Sequence, residues 1–280
     1  MKYIDKRIKK EEGEAIISEF LDCFYKRKGT YPADMYKAFG SEIDDNHCGT
    51  KFSKRLIDEV LMPEQDGRCC YCMRRFSADG PVTIEHLMPN HADDKAELEL
   101  YRTRPTELDG LPHTKDFKAM NPIVYPPHPH SIAYQNMVLS CNGDFFHVKS
   151  KPVCCNLKRR HSFVPPFVLH DNIADTFVYY VDGTAEWTED PNPVDSCNNA
   201  VKILGLNNTV LKMIRRIWFF CTDNHIEPQS VGKDMVIKQI SFYMSTGNEL
   251  NMLLNFKNES YWSLFLEYDA FANIRHVKCN

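Results

Sequence analysis

The stretch that decides the fold lies between residues 69 and 86 and reads CCYCMRRFSADGPVTIEH. Two cysteines separated by two residues, as Cys69 and Cys72 are, can bind one zinc ion without strain, because zinc prefers thiolate ligands in a tetrahedron. The stretch closes with apolar and polar residues in alternation from Val82 to Glu85, which is typical of a short half-buried strand. The sequence therefore predicts a metal-bound turn followed by a strand that ends in Glu85 and His86.

Two later segments carry the thiols that would complete the metal site. Residues 134–143 read YQNMVLSCNG, which predicts a second short strand leading into Cys141, and residues 154–161 read CCNLKRRH. The predicted ligands of a structural zinc ion are Cys69, Cys72, Cys141 and Cys155. Cys70 and Cys154 are left open as substitutes, and a set of buried free thiols is the alternative. Four protein ligands close a zinc site, so this ion is expected to hold the fold rather than to catalyse.

Composition narrows the class of protein. The chain has 280 residues, of which 43% are hydrophobic and 26% charged, as in an ordinary soluble globular protein. Its formal charge of −4 means that any binding of nucleic acid needs a local basic patch. The first residues, MKYIDKRIKKEEGE, lack the apolar core of a signal peptide, and no apolar run is long enough for a membrane span. We expect a cytoplasmic protein whose eleven cysteines are not paired in disulfides.

The pattern along the chain predicts an α+β protein that is mostly helical, with a small ββα element at its centre. Helices are expected at 14–27 and 52–61 within an N-terminal helical region, residues 1–66. The central unit, residues 67–165, holds the cysteine motifs and a long proline-rich insertion at about 91–131, with one helical segment at 92–101. The accessory region, residues 166–280, is expected to contain a hairpin at 177–187 and helices at 198–222, 234–254 and 259–270.

The central unit also holds a constellation suited to phosphodiester hydrolysis. Glu85 and His86 end one strand, Asn136 precedes the next, and Asn156 follows a predicted zinc ligand at the start of a helix. Such a reaction needs a base that is neutral near pH 7, oxygen ligands for a hard divalent cation and a rigid loop that holds both.

The motifs C-x-Y-C, I-E-H-x-x-P, N-x-x-x-S-C-N-G and Cys155-Asn156-Leu157-Lys158 resemble those of the HNH (ββα-metal) endonucleases that carry a zinc knuckle. The opening MKYIDK, the LGLN at 204–207, Leu211 and Arg215 are similar to one subfamily. It is found beside retrons and as the nuclease subunit of Septu-type anti-phage systems, whose companion is an ATPase.

The resemblance implies a role for each residue of the constellation. His86 would be the general base, and Asn136 would brace its loop. Glu85 and Asn156 would bind the catalytic Mg²⁺ or Mn²⁺, with His161 or His91 left open in place of Asn156. In two respects this chain departs from the family: fifty positions separate His86 from Asn136, and Asn90 stands where the subfamily commonly has lysine.

Four consecutive residues, Lys158, Arg159, Arg160 and His161, are expected to form a phosphate-binding edge beside this site. The alternative is a solvated helix face, which is what most charged runs are.

The leading hypothesis is a metal-dependent endonuclease that cleaves DNA in a defence complex with an ATPase docked on the C-terminal region. An RNase of the same fold, with transfer RNA as a target, is one alternative. The other is a zinc module without catalysis that docks a partner or binds nucleic acid. The acid–histidine pair favours the enzyme, because a docking module has no need of it.

Overall fold

The computed structural model describes residues 1–47, 49–77, 82–92, 95–101, 108–120, 123–145, 152–190, 199–243, 257–274 and 277–278. It is a mixed α/β structure, about 48% helical, with small sheets of two or three strands. Helices thus outweigh strands, as the sequence predicts. No helix in the described part of the chain is both long enough and apolar enough to cross a bilayer.

The helices of the described residues are α1 Lys10–Lys28, α2 Met35–Ser41, α3 Phe52–Arg55, α4 Met62–Glu64, α5 Lys95–Glu99, α6 Thr114–Ala119, α7 Cys155–Arg159, α8 Ile173–Thr176, α9 Ala200–Ile203, α10 Thr209–Asp223, α11 Pro228–Val231, α12 Lys233–Tyr243 and α13 Glu259–Leu266. A π-helical stretch, Leu56–Leu61, joins α3 to α4, and 3₁₀ turns occupy Tyr134–Asn136, Phe167–Leu169 and Asp269–Asn273. The strands are β1 Ile43–Asp44, β2 Thr50–Lys51, β3 Val82–His86, β4 Met137–Cys141, β5 Phe177–Tyr180, β6 Ala185–Trp187 and β7 Val277–Lys278.

The two predicted central strands are present and pair antiparallel. In β3 and β4, Val82 lies opposite Cys141 and His86 lies opposite Met137. Helix α7 follows at residues 155–159, so the order strand, strand, helix is present although fifty residues separate His86 from Asn136. The hairpin at 177–187 is also as predicted, with β5 paired to β6 and, in parallel, to β7.

Several helix predictions need correction. The helix expected at 198–222 is two helices, α9 and α10, because Gly205 adopts a φ of +63° and Asn208 caps α10 by accepting the Leu211 N–H at 3.0 Å. Helix α12 ends at Tyr243, and the rest of the helix expected at 234–254 lies outside the described residues. Within the insertion, α5 confirms the helical segment expected at 92–101, whereas α6 is a helix that the sequence did not predict.

The central strand β4 lies between two hydrophobic cores. Its five residues are all buried: Met137 and Leu139 pack into a core built from the N-terminal helices, whereas Val138 belongs to the core that holds the cysteines and the C-terminal helices. This division follows from the alternation of side chains along a strand. The strand that leads to Cys141 is thereby fixed from both sides.

The predicted boundaries at residues 66 and 165 do not separate these cores. The core of the N-terminal helices includes Phe117 and Ile132, from the insertion and the segment that follows it. The other core joins Ile4 and the cysteines to Phe265 and Phe271. Apolar surface, rather than the proline-rich composition, decides which segments pack together.

A buried histidine fastens the end of the insertion to α1. His128 is 1% exposed, and its Nε2 lies 2.9 Å from the Ser18 hydroxyl, which itself donates to the Glu14 carbonyl. The imidazole is therefore the neutral Nε2–H tautomer, donating to Ser18. Its Nδ1 has no hydrogen-bond partner among the described residues. Burial lowers the pKa of His128 to about 4.

This depressed pKa predicts a loss of stability in mild acid. Unfolded His128 binds a proton below pH ~6.5, whereas the folded imidazole stays neutral down to about 4, so the free energy of unfolding falls between these values, by at most about 3 kcal/mol. Urea denaturation across this pH range measures the slope. His128→Gln, which keeps a donor toward Ser18 but does not titrate, is expected to flatten it. An unchanged slope in that variant contradicts the prediction.

Candidate metal centre and active site

Four thiols converge beneath the two central strands. The Sγ atoms of Cys69, Cys72, Cys141 and Cys155, which we call the four-cysteine cluster, all lie within 4.8 Å of one another and are buried. The Sγ–Sγ distances of the Cys69–Cys155 and Cys72–Cys141 pairs are 3.7 Å. A tetrahedral zinc site with Zn–S bonds of about 2.3 Å has edges of about 3.8 Å. The cluster therefore fits a metal ion such as zinc, with the four cysteines predicted from the sequence.

The first two ligands are held by a tight turn. The Cys69 N–H donates to the Arg74 carbonyl at 2.8 Å, and the Met73 N–H donates back to the Cys69 carbonyl at 3.0 Å. Met73 takes a φ of +65°, which lets the chain reverse directly after Cys72. The Cys70 N–H donates to the Leu139 carbonyl at 3.0 Å, which ties this turn to β4.

The other two ligands depend on a glycine. Gly143 has a φ of +81°, and a Cβ on it would lie 1.7 Å from the Cys154 carbonyl oxygen. Only glycine allows the segment after Cys141 to approach the chain before α7 so closely. The Cys154 N–H donates to the Gly143 carbonyl at 3.0 Å, and this contact brings Cys155 to the cluster.

The sequence left two further thiols, those of Cys70 and Cys154, open as alternative zinc ligands. Cys70 is buried outside the set of four, and burial raises the pKa of its thiol well above the usual value. The Cys154 Sγ lies 3.4 Å from that of Cys155 but is not among the four convergent atoms. For Cys69, burial acts to raise the pKa, but hydrogen bonds from the neighbouring thiols lower it well below that of a free thiol. A preformed group of this kind favours metal binding.

The residues predicted for catalysis line a single cavity of about 410 Å³. We call it the candidate pocket; its walls include Tyr36, Glu85, His86, Asn90, His91, Glu97, Tyr101, Asn156, Arg159, Arg160 and His161. Of the predicted constellation, only Asn136 and Lys158 are not part of its wall.

His86 is held as a neutral imidazole. Its Nε2 lies 3.2 Å from the Ser131 carbonyl oxygen, which can only accept, so Nε2 carries the proton and Nδ1 keeps its lone pair. The ring of Tyr36 meets the imidazole edge-on, with centroids 4.4 Å apart. Burial lowers the pKa of His86 to about 3, and the cations around it act in the same direction. His86 is therefore neutral with Nδ1 free, but a pKa this far below 7 makes it a weak proton acceptor, because a general base works best with a pKa near the operating pH.

Asn136 connects the two strands at the level of His86. Its side-chain oxygen accepts from the Met88 N–H at 2.7 Å, and its amide donates to the carbonyls of Met88 and His130 at 2.9 and 2.8 Å. The residue is fully buried. Asn136 therefore holds the chain after β3 and the segment that supplies the Ser131 carbonyl in one arrangement around His86.

Arg159 does not lie on the exposed edge predicted for it. Its guanidinium is buried and forms an ion pair with Glu85, which is also buried. The same nitrogen, Nη1, donates to the Tyr71 hydroxyl at 3.1 Å and the His86 carbonyl at 3.0 Å. Arg159 thus joins α7 to the end of β3. Burial raises the pKa of Glu85, and Arg159 opposes this. Because Arg159 Nη1 donates to Glu85 Oε1, Oε2 is the oxygen with which Glu85 would bind a metal ion.

The remaining predicted side chains stay at the surface. Lys158, Arg160 and His161 are exposed, and Arg160 and His161 line the pocket. Asn156 is partly buried, and its amide lies 3.4 Å from the Thr83 hydroxyl. The predicted cationic edge is therefore made of three side chains rather than four.

Three pocket residues were not found from the sequence. Tyr36 lies fifty positions before His86, and Glu97 and Tyr101 come from the insertion. No motif marks them, because they reach the pocket through the packing of α2 and α5 rather than through a local pattern.

Substitutions of two adjacent arginines in this site should change the free energy of unfolding by very different amounts. Arg159→Met leaves the buried Glu85 carboxylate without its partner, and we expect a loss of about 3–5 kcal/mol in the free energy of unfolding. Arg160→Ala, on an exposed side chain, should change it by less than about 0.5 kcal/mol. Urea denaturation measures both, and the double variant Arg159→Met with Glu85→Gln should recover part of the loss. Equal stability of the two single variants would contradict this interpretation.

No protein-family model, curated protein or solved structure matches this chain.

Proposed function

We propose that the chain is a metal-dependent phosphodiester hydrolase of the HNH type, with DNA as the expected substrate. The observation that carries the proposal is the candidate pocket, in which the neutral imidazole of His86 faces the same space as Asn156 and the exposed side chains of Arg160 and His161. A base, oxygen ligands and cations at one surface are what attack on a phosphodiester requires.

In this proposal, His86 Nδ1 removes a proton from the attacking water. The Ser131 carbonyl holds the opposite ring nitrogen as a donor, so proton uptake by Nδ1 is oriented before substrate binds. Asn136 keeps the two segments around the imidazole from moving apart. The Arg160 and His161 side chains bind the phosphate oxygens of the substrate.

A divalent ion, Mg²⁺ or Mn²⁺, would be held by Glu85 Oε2 and by Asn156, or by His91 or His161 in place of Asn156, all of which lie in the same wall. When bound, it supplies Lewis-acid stabilisation of the negative charge that develops on the leaving oxygen. The structural zinc of the four-cysteine cluster has a separate role, because four thiolates leave it no open position.

Cleavage assays on the zinc-loaded full chain test the proposal. Supercoiled and linear DNA, single-stranded RNA and transfer RNA are incubated with Mg²⁺, with Mn²⁺ or with EDTA. Metal-dependent cleavage of DNA supports the proposal as stated, and cleavage of RNA alone makes the RNase alternative correct. No cleavage of any substrate by folded, zinc-loaded protein, alone and with its ATPase partner, would overturn it.

One observation favours the second candidate, a zinc module that binds nucleic acid or a partner without catalysis. Glu85, the expected metal ligand, is already neutralised by Arg159. In that case the protein binds DNA or RNA in a salt-dependent manner but leaves it intact, and added Mg²⁺ or Mn²⁺ does not strengthen binding.

An ATPase partner, a role in anti-phage defence and a cytoplasmic location are proposed from the sequence alone. Deletion of residues 200–280 is not a clean test of docking, because Phe265 and Phe271 belong to the core that holds the cysteines. Exchange of exposed residues such as Val231 and Met235 for charged ones is a better test. We expect it to reduce co-purification with the ATPase while the chain stays folded.

A further inference from the structure

One buried cation in the molecule lacks an acidic partner among the described residues. Arg215, on α10, is 2% exposed, and its Nε donates to the Leu211 carbonyl at 3.2 Å while Nη2 donates to that of Leu206. Its Nη1 has no hydrogen-bond partner within the described residues. The guanidinium carbon lies 5.6 Å from the centre of the Tyr179 ring and 6.0 Å from that of Phe271.

The buried arginines Arg159 and Arg55 are, by contrast, balanced by carboxylates. Arg159 pairs with Glu85, and Arg55 pairs with Asp44 and Glu19. No ion pair joins Arg215 to a carboxylate in the part of the chain that the structure describes. A guanidinium keeps its proton in proteins, so this side chain cannot escape the cost of burial by becoming neutral.

What lies next to Arg215 is the four-cysteine cluster. A cavity of about 10 Å³ lies between Arg215 and Cys72, with Tyr71 and Tyr179 in its wall, and it has room for about one water molecule at most. Burial lowers the pKa of Arg215, and the groups that oppose this are the phenols of Tyr179 and Tyr268 and the thiols of Cys72 and Cys154. Because Cys72 shares the wall of this cavity with Arg215, metal binding would place a thiolate beside the guanidinium.

We propose that Arg215 is the counter-ion of a zinc–tetrathiolate centre at the four-cysteine cluster. Four thiolates outweigh the charge of one zinc ion, so the loaded centre is a buried anion. Arg215 neutralises part of that charge from the side of Cys72. The Tyr268 hydroxyl, 3.7 Å from the Cys72 Sγ, acts on the same sulfur as a hydrogen-bond donor. Residues around a metal centre commonly set its affinity in this way.

The pairing links metal binding to the C-terminal helices. Arg68 and Arg74, on the turn that carries Cys69 and Cys72, form ion pairs with Asp269 and Glu267 at 2.7 and 2.5 Å. These acidic residues follow the last long helix, α13, and with zinc bound α10 is attached to the same turn through Arg215. Without zinc, Arg215 is a buried charge with no carboxylate partner among the described residues. This inference rests on zinc at the four-cysteine cluster and does not require the proposed hydrolase activity.

Competition for zinc between the full-length protein and a chromophoric chelator tests the proposal. We expect Arg215→Met, which keeps the apolar stem but removes the charge, to weaken zinc binding by about 10- to 100-fold. Arg215→Lys keeps the charge and should retain most of the affinity. Arg55→Met removes a buried arginine that belongs to the other ion-pair network and should leave zinc affinity unchanged. Equal affinities of wild type and Arg215→Met would overturn the proposal, as would equal losses in the Met and Lys variants.

The direction in which Arg215→Met shifts the unfolding temperature of the metal-free protein provides an independent check. Metal-free Arg215→Met should unfold at a higher temperature than the metal-free wild type, because an uncompensated buried charge has been removed. Zinc-loaded Arg215→Met should unfold at a lower temperature than the zinc-loaded wild type. A lower temperature for the variant in both forms would overturn the counter-ion role. If the metal-free chains show no cooperative transition, titration with Co²⁺ replaces this check, and an unchanged Co²⁺ affinity in the variant contradicts the proposal.

Discussion

Cys72→Ser is expected to abolish zinc binding and to unfold most of the chain. The free energy of binding for a structural zinc ion is about 10–16 kcal/mol, which is as large as the net stability of a typical domain, about 5–15 kcal/mol. The four-cysteine cluster lies inside the core that also contains the C-terminal helices, so the loss should spread far beyond the turn. Metal analysis of the purified protein and its thermal unfolding curve measure the two effects.

Cys70→Ser is the matched control for this experiment. Cys70 is buried and lies two residues from Cys72, but its thiol is not one of the four convergent ligands. The Cys70→Ser variant should keep one zinc per chain, and its free energy of unfolding should fall only by the small amount expected when a buried thiol becomes a hydroxyl. If Cys72→Ser remains folded with full zinc, or if Cys70→Ser loses zinc, the assignment of the four ligands is wrong.

The second large effect is expected at His86. If the chain is a hydrolase, His86→Ala should lower the rate of DNA cleavage by about 10²- to 10⁴-fold, which is the usual contribution of a general base. The imidazole contacts the Tyr36 ring and the Ser131 carbonyl. Strand β3 is held by its pairing with β4, so its fold does not depend on the imidazole. The variant should therefore keep its zinc and bind DNA with an affinity close to that of the wild type. Single-turnover cleavage and a binding assay on the same preparations separate these effects.

His47→Ala serves as the control for His86. His47 is exposed and contacts Asp44 at 2.7 Å, outside the wall of the candidate pocket. The His47→Ala variant should cleave DNA at the wild-type rate. Cleavage that persists in His86→Ala would show that another residue is the base, whereas loss of both cleavage and zinc would mean that the substitution disturbed the fold.

Features set by short-range chemistry were predictable from the sequence. The spacing of Cys69 and Cys72, the alternation from Val82 to His86 and the apolar run before Cys141 depend only on neighbours in the chain. The predicted zinc ligands are the four thiols that converge, and the two central strands lie where the pattern indicates them. The break at Gly205 was missed because the apolar period continues across it, and only the backbone conformation reveals two helices.

The sequence by itself indicated the four-thiol set, with Cys70 and Cys154 left open, the strands of the central element and the acid–histidine pair at the end of the first strand. Tertiary structure decided whether each charged side chain of that element is buried in an ion pair or exposed to solvent. Arg159 is four positions from Cys155 and next to Arg160, yet one arginine is buried against Glu85 and the other faces solvent. Whether a charge is exposed, paired or opposite a metal centre depends on groups brought close by packing, as Arg215 is to Cys72 across 143 positions. Electrostatic energy depends on distance in space and on burial, and neither can be read from the spacing of residues along the chain.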